Sequence, residues 1–308
     1  MKKLIALMMA LVTVLSLCAF AGAEEADISA LKIAAPAGAP ALALAALAKE
    51  TPDQYTFVAA DTITAEFASG VSDFIVAPLN AGAKLFKAGK STYRLAAVVS
   101  WGNLFFASRR ADFKPEDMNG QKVTLFGENT INAAVALYAL DRNGIVPSEV
   151  EYLAGAANTQ QLLLSDPEAI VLTAEPALTA AKMKAEDIAS CALNDLYKAA
   201  TGQDGYPQAG LFVRAGLIEE APALADAFLE KAAASCALCA EDPQAAAEAA
   251  VALELLPNVK VALAAIPNCA IRFVSAKEAR EQIDLTAAID LTQFGGALPA
   301  DDFYYGAE

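Results

Sequence analysis

The chain has 308 residues, enough for one large or two medium domains, and its 37 acidic against 22 basic residues give a net charge of −15. That balance makes nucleic acid and anionic membrane surfaces poor partners. The sequence contains no histidine, which excludes His-based triads and His-containing zinc sites and removes the commonest general base.

Residues 1–23 read as a signal peptide. Lys2 and Lys3 supply the positive start, and Leu4 to Leu17 is an uncharged, mostly apolar run shorter than the roughly 20 residues of a spanning helix. Ala21-Gly22-Ala23 has the small-x-small form of a cleavage site, so the mature chain is expected to begin at Glu24. A lipid anchor at Cys18 is the alternative, although Leu17 is bulky where a lipidation pattern wants a small residue. Loss of Lys2 and Lys3 leaves 20 basic against 37 acidic residues, a net charge of −17 on the mature chain. No later uncharged run approaches spanning length.

Beyond the acidic start, the pattern alternates between strand and helix. Leu31–Ala35 is a strand, followed by the Pro36-Ala37-Gly38-Ala39-Pro40 turn and an Ala/Leu helix to about Lys49. Thr56–Ala60 is a second strand, and Asp61 or Thr62 caps a short helix ending at Gly70. Asp73–Ala77 is a buried-type strand that stops at Pro78, with Asn80 opening a helix over 81–87. Residues 93–108 are extended but interrupted at Ser100-Trp101-Gly102-Asn103, where the sole tryptophan suits either core filling or a cleft wall.

A fresh unit follows. Lys122–Phe126 is a strand, Gly127-Glu128-Asn129-Thr130 a turn, and Ile131–Asn143 a helix closed by Gly144. Glu149–Leu153 and Ala169–Thr173 are strands, with helices over 158–164 and from Pro176 to Lys184. Glu186–Ala200 reads as helix ending at Gly202, and Ala209–Val213 as a returning strand after the Tyr206-Pro207 loop. The rest reads as mostly helical: 222–240, 244–256, and a last helix opened by the capping box Ser275-Ala276-Lys277-Glu278. The aromatic tail around Phe303 and Tyr304 is expected to dock onto the body. Cys191, Cys236, Cys239 and Cys269 are expected as buried free thiols, with a bridge from Cys269 to Cys236 or Cys239 as the alternative.

Strands that alternate with helices in two batches, then return to the first, indicate an α/β fold of two lobes, each a mainly parallel sheet flanked by helices. Two crossings are expected near 108–112 and 207–211. Residues 24–110 with 209–308 would form the first lobe and 111–208 the second. The gap between the lobes is the expected pocket, closing by hinge motion.

The mature chain resembles the type 2 periplasmic-binding-protein fold, and within it the ABC-importer substrate-binding proteins of the NMT1-like (nitrate, sulfonate, taurine and thiamine-precursor) superfamily. The residues that carry the resemblance are Asp73–Asn80, Gly120–Val123 with the Gly127–Ile131 turn, Ala174-Glu175-Pro176-Ala177, Tyr206-Pro207-Gln208 and Leu298–Tyr305. It implies an exported, periplasmic or cell-surface protein, expected as a monomer, that captures a small solute and delivers it to an ABC permease with its ATPase subunit. No cofactor and no metal is implied. The branch that makes a thiamine pyrimidine uses an active-site histidine, which is absent here.

The resemblance implies ligand contacts from the strand–helix junctions: Gly38, Ala39, Asn80, Trp101, Asn103, Glu128, Asn129, Thr130, Glu175 and Tyr206. Junctions at Gly38, Asn80 and Asn129 can donate to an anion or carbonyl, Trp101 and Tyr206 can pack an apolar body, and Glu128 or Glu175 can accept from an amine or ring N–H. Plain helix capping is the other reading of Asn80 and Asn129, first-turn dipole compensation that of Glu175, and solvation that of Glu128. The expected solute is a sulfonate, carboxylate or pyrimidine-like molecule. Two other functions stay open: a lyase or dehydratase using Glu128 or Glu175 as base, and a ligand-sensing surface protein.

Overall fold

The structure is a computed structural model that describes residues 26–60 and 62–306. The expected signal peptide, Cys18 and the Asp61 cap lie outside the described residues. Among the described residues, no helix is long and apolar enough to cross a membrane.

Two mixed sheets form the framework. The first comprises β1 (Ile33–Pro36), β2 (Tyr55–Val58), β3 (Phe74–Pro78) and β4 (Arg94–Ser100), completed by two strands from the end of the chain, Ala209–Val213 and Ile271–Ser275. The second contains β5 (Leu104–Ser108), β6 (Lys122–Phe126), β7 (Glu149–Leu153), β8 (Ile170–Ala174) and β9 (Ala189–Ala192). With the late strands numbered β10 and β11, the orders are β11-β4-β10-β3-β1-β2 and β7-β6-β8-β5-β9.

The expected α/β class is borne out, but the sheets are mixed rather than mainly parallel. β1 runs parallel to β2 and β3, and β6 runs parallel to β7 and β8, as strand–helix–strand crossovers require. The strand that enters each sheet from the other runs the opposite way: β10 is antiparallel to β3 and β4, and β5 is antiparallel to β8 and β9.

The chain first passes between sheets at Trp101–Asn103, not at 108–112, because β5 already pairs with β8 and β9. It returns between Leu193 and Gln208. At the first passage Gly102 has φ 85°, and Asn194 reaches back to donate to the carbonyls of Trp101 and Gly102 at 2.9 and 2.8 Å. At the second, the Gln208 N–H donates to the Ser100 carbonyl at 2.9 Å. The two passages are therefore hydrogen-bonded to one another's elements.

Helices cover the sheets where the sequence concentrates alanine. α1 (Ala39–Leu42), α2 (Ala45–Glu50), α3 (Thr64–Ser69) and α4 (Leu79–Lys87) follow β1, β2 and β3. α5 (Ile131–Arg142), α6 (Ala156–Ser165), α7 (Ala177–Lys182) and α8 (Leu193–Thr201) belong to the second batch. After β10 come α9 (Ala215–Glu220), α10 (Pro222–Glu241), α11 (Pro243–Ala252) and α12 (Val259–Ala265), and α13 (Arg280–Ile289) follows β11. Buried Ala246, Ala247, Ala249 and Ala250 make α11 a thin face, and Phe74 of β3 stacks on Phe228 of α10 at 4.1 Å.

Two strands depart from the sequence expectation. β9 lies within a stretch that reads as helix, yet it adds to the edge of β5. β11, Ile-Arg-Phe-Val-Ser, lies in a region read as helical and pairs with β4. In both cases an unpaired sheet edge supplies ladder hydrogen bonds that outweigh weak local preference. The Ser275–Glu278 capping box forms its reciprocal bonds, both at 3.3 Å, although α13 begins only at Arg280.

The tail docks as expected. Phe303 and Tyr304 are buried, and the Tyr305 N–H donates to the Leu95 carbonyl at 2.8 Å. All four described cysteines are free; Cys236, Cys239 and Cys269 are buried and donate to the carbonyls of Ala43, Leu42 and Ala265. The alternative bridge from Cys269 is absent.

Candidate functional site

The carboxyl ends of the central strands of both sheets face one gap. Where β1 ends, Pro36 and Ala37 continue into Gly38, whose φ of 113° admits the turn without a Cβ, and Ala39 starts α1. Where β3 ends, Pro78 leads directly into α4. Asn80 is therefore the second residue of that helix rather than its cap. From the second sheet come the β6–α5 turn, the β7–α6 turn and the end of β8.

The gap holds two adjoining cavities of about 330 and 670 Å³. They share Ala37, Pro40 and Ala60 from one side, Asn103 from the first passage, Thr130 and Asn132 from the other side, and Gln208 from the second passage. Asn80, Ile131 and Gln293 line only the smaller cavity, and Gly38, Ala39, Gly127, Asn158 and Glu175 only the larger. A volume of this size suits a small organic molecule.

The lining is amide-rich and nearly uncharged. Among the described residues, Glu175 is the one ionisable side chain that lines either cavity. Glu175 is only 4% exposed, and its carboxylate turns back onto α7, accepting from the Thr179 N–H at 3.0 Å and the Thr179 hydroxyl at 2.9 Å. Burial pushes its pKa up, while the two Thr179 hydrogen bonds pull the other way. The Glu175 carbonyl accepts from the Asn103 side-chain amide at 2.8 Å, which ties β8 to the first passage. Arg109 pairs with Asp187 at 3.0 Å and Arg110 with Glu168 at 3.4 Å; Arg94 does not line the gap either.

Six of the sequence-derived candidates line the gap: Gly38, Ala39, Asn80, Asn103, Thr130 and Glu175. Four do not. Trp101 is 2% exposed, donates its indole N–H to the Arg272 carbonyl at 3.2 Å, and carries the Arg272 guanidinium 4.2 Å above its ring. It seals the passage from within. Glu128 and Asn129 are exposed on the β6–α5 turn. Asn129 has φ 59°, which its short polar side chain tolerates, and it is Thr130 that caps α5, accepting from the Ala133 N–H at 3.3 Å. Tyr206 is fully buried behind the lining, packed on Tyr197 at 5.8 Å, and donates to Asn132 Oδ1 at 3.0 Å.

Sequence reasoning missed Asn132, Gln208, Asn158 and Gln293. A polar residue in the first turn of a helix that follows a Gly-rich turn was the available signal for Asn132. Gln208, just after Tyr206-Pro207, was on view in the same way. Neither stands out from residue type alone, because exposed amides are common throughout such a chain.

Solved structures share this architecture. An ABC transporter protein from Parabacteroides distasonis superposes with a TM-score of 0.75 at 21% identity, over 91% of this chain and 100% of that one. The periplasmic aliphatic sulphonate binding protein SsuA from Escherichia coli gives 0.67 at 14% identity, over 89% and 91%. A ligand-binding component of an ABC-type import system from Staphylococcus aureus, with zinc bound, gives 0.67 at 12%, over 89% and 95%. At these identities the likeness is one of fold, the two-lobed α/β architecture of type 2 periplasmic binding proteins. No curated protein matches the sequence. The NMT1/THI5-like family model matches residues 60–246, well over half of the chain, and spans α3 through α10 and the first residues of α11, together with both passages between the sheets; the chain belongs to the NMT1/THI5-like family.

Proposed function

We propose that the chain is the extracytoplasmic solute-binding component of an ABC importer, closing its two halves on a small organic solute and presenting it to a permease with its ATPase subunit. The observation that carries this reading is the gap itself, lined from both sheets and from both passages between them. A solute touching both sides stabilises the closed arrangement by the difference between its contacts in the closed and open forms. The halves follow the sheets, with boundaries at 101–103 and 193–208, and the hinge lies where Asn194 and Gln208 tie the passages together. Export through residues 1–23 fits the same reading.

The solute is a sulfonate, carboxylate or pyrimidine-like molecule. Side-chain amides and backbone groups provide its polar contacts; Pro36, Pro40, Pro78 and the alanines provide the apolar walls. Glu175 favours binding over a lyase or dehydratase. Thr179 engages both of its oxygens and holds the carboxylate against α7, so the group is positioned for structure rather than for taking a proton from a solute.

The test is a thermal-shift screen of sulfonates, carboxylates, pyrimidines and amino acids on the mature chain, followed by calorimetric titration of any hit. A true solute raises the melting temperature by mass action. Folded protein that responds to no class, or that converts a candidate into product, ends the proposal.

A further inference from the structure

Beneath the gap runs a short hydrogen-bonded chain of side chains that crosses from one half to the other. Ser100, at the end of β4, donates its hydroxyl to Gln208 Oε1 at 3.2 Å. Gln208 Nε2 donates to Asn132 Oδ1 at 3.4 Å, and the Tyr206 hydroxyl donates to the same oxygen at 3.0 Å. Ser100 and Tyr206 belong to the first sheet and the second passage; Asn132 belongs to the first turn of α5 on the other side. Asn132 and Gln208 line both cavities.

The two ends of this chain remove the ambiguity that an amide pair otherwise has. Ser100 and Tyr206 are both fully buried hydroxyls, and each has one hydrogen that needs an acceptor. With Gln208 Oε1 toward Ser100 and Asn132 Oδ1 toward Tyr206, both hydrogens are used and the middle bond also forms. Turning both amides over keeps the middle bond but leaves two buried hydroxyl hydrogens with no acceptor among the described residues. Turning one over sets like groups against each other. Burial also pushes the Tyr206 pKa far up, so the phenol keeps its proton at any working pH. Asn132 Oδ1 thus receives two donors, and the outward part of the amide is its NH₂ group.

We infer that Tyr206 acts as a positioning residue for Asn132, so that the cleft offers N–H donors at this point and takes its solute through a hydrogen-bond acceptor. The solute class is one with a sulfonyl, carboxylate or ring-nitrogen acceptor at this position, and an amine or ammonium group is rejected there because two N–H dipoles would face it. This inference rests on the solute-binding reading and specifies the polarity of its contact. The logic is that of a site built to pair with one kind of polar group: the wrong partner leaves buried donors unsatisfied.

The experiment is calorimetric titration of the mature chain with four small probes: propane-1-sulfonate, propionate, pyrimidine and propylammonium. Pyrimidine is uncharged and has acceptors but no donors, so it separates hydrogen-bond polarity from charge. The wild type is expected to bind at least one acceptor probe about tenfold or more tightly than propylammonium. Asn132→Asp keeps an oxygen for Tyr206 and Gln208 but replaces the outward NH₂ with a carboxylate oxygen, and is expected to reverse that order. Tyr206→Phe frees the amide to turn and is expected to shrink the acceptor-to-ammonium ratio. A purely structural role for Tyr206 would lower the melting temperature and leave the ratio alone. Should Tyr206→Phe fail to fold, Asn132→Asp decides. Propylammonium binding the wild type as well as the acceptors do, or an unchanged order in Asn132→Asp, overturns this inference while solute binding stands. Failure of all four probes, and of the wider screen, on folded wild type removes both.

Discussion

Gly102 offers the most direct test of how the passages between the sheets are built. Its φ is 85°, and a Cβ added there falls 2.5 Å from Asn194 Oδ1 and 2.6 Å from a ring carbon of Tyr206. Neither neighbour can yield easily. Asn194 holds two carbonyls of this same turn, and Tyr206 is fully buried and bonded to Asn132. Alanine at a left-handed position costs about 1–2 kcal/mol in backbone strain. Forcing an extra carbon into a packed site adds about 1–3 kcal/mol. Gly102→Ala should therefore lose roughly 2–5 kcal/mol. Gly120 is the control: its φ is 66° but nothing lies within 4 Å of an added Cβ, so Gly120→Ala should lose only the strain of about 1–2 kcal/mol. At roughly 2–4 °C per kcal/mol, Gly102→Ala should melt about 4–20 °C below the wild type and Gly120→Ala about 2–8 °C below it. Thermal melting by circular dichroism, with urea midpoints as a second measure, checks the pair. Equal losses in the two variants would refute the claim that Asn194 and Tyr206 wall in the first passage.

Other outcomes follow from the same structure. Tyr197 and Thr286 are fully buried and share one hydrogen bond of 3.1 Å between α8 and α13; Tyr197→Phe or Thr286→Val alone should cost about 1–3 kcal/mol by stranding the other hydroxyl, and the double variant should recover part of it in a urea cycle. Thr130→Ala removes the α5 cap and should cost about 1 kcal/mol in the same assay. Glu175 has a raised pKa in the folded state, so the native protein binds its proton more tightly than the unfolded chain. Its contribution is most favourable below the unfolded carboxylate pKa and declines as pH rises toward the raised native value. The stability of Glu175→Gln relative to wild type should accordingly rise with pH across that window, and a flat difference in urea midpoints between pH 4 and 8 would contradict the burial argument. Burial pushes the Cys191 thiol up to about 12 and that of Cys239 to about 11. A thiolate-directed reagent at pH 8 should leave the folded mature chain almost unlabelled and modify four thiols after unfolding in denaturant.

Much of the framework was legible in the sequence because local signals and burial agreed there. Lys122–Phe126, Glu149–Leu153 and Ala209–Val213 are short β-rich runs bounded by turn residues, and all three are strands with those limits. Gly144 and Gly202 marked helix ends, and Asn129-Thr130 a helix start, for stereochemical reasons that hold in any context. The candidate site was partly legible for the same reason: Gly38, Asn80, Thr130 and Glu175 sit where a strand turns into a helix, and in two facing sheets those turns converge.

What the sequence by itself determined was therefore most of the elements and the turns that join them, since these depend on neighbours along the chain. Tertiary structure alone decided that Ala189–Ala192 becomes an edge strand, that Trp101 and Tyr206 lie behind the lining rather than in it, and that Asn132 and Gln208 take their places. Each of those outcomes turns on a partner between 74 and 171 residues away or on an open sheet edge, and no local pattern records which distant hydroxyl or carbonyl a side chain will meet.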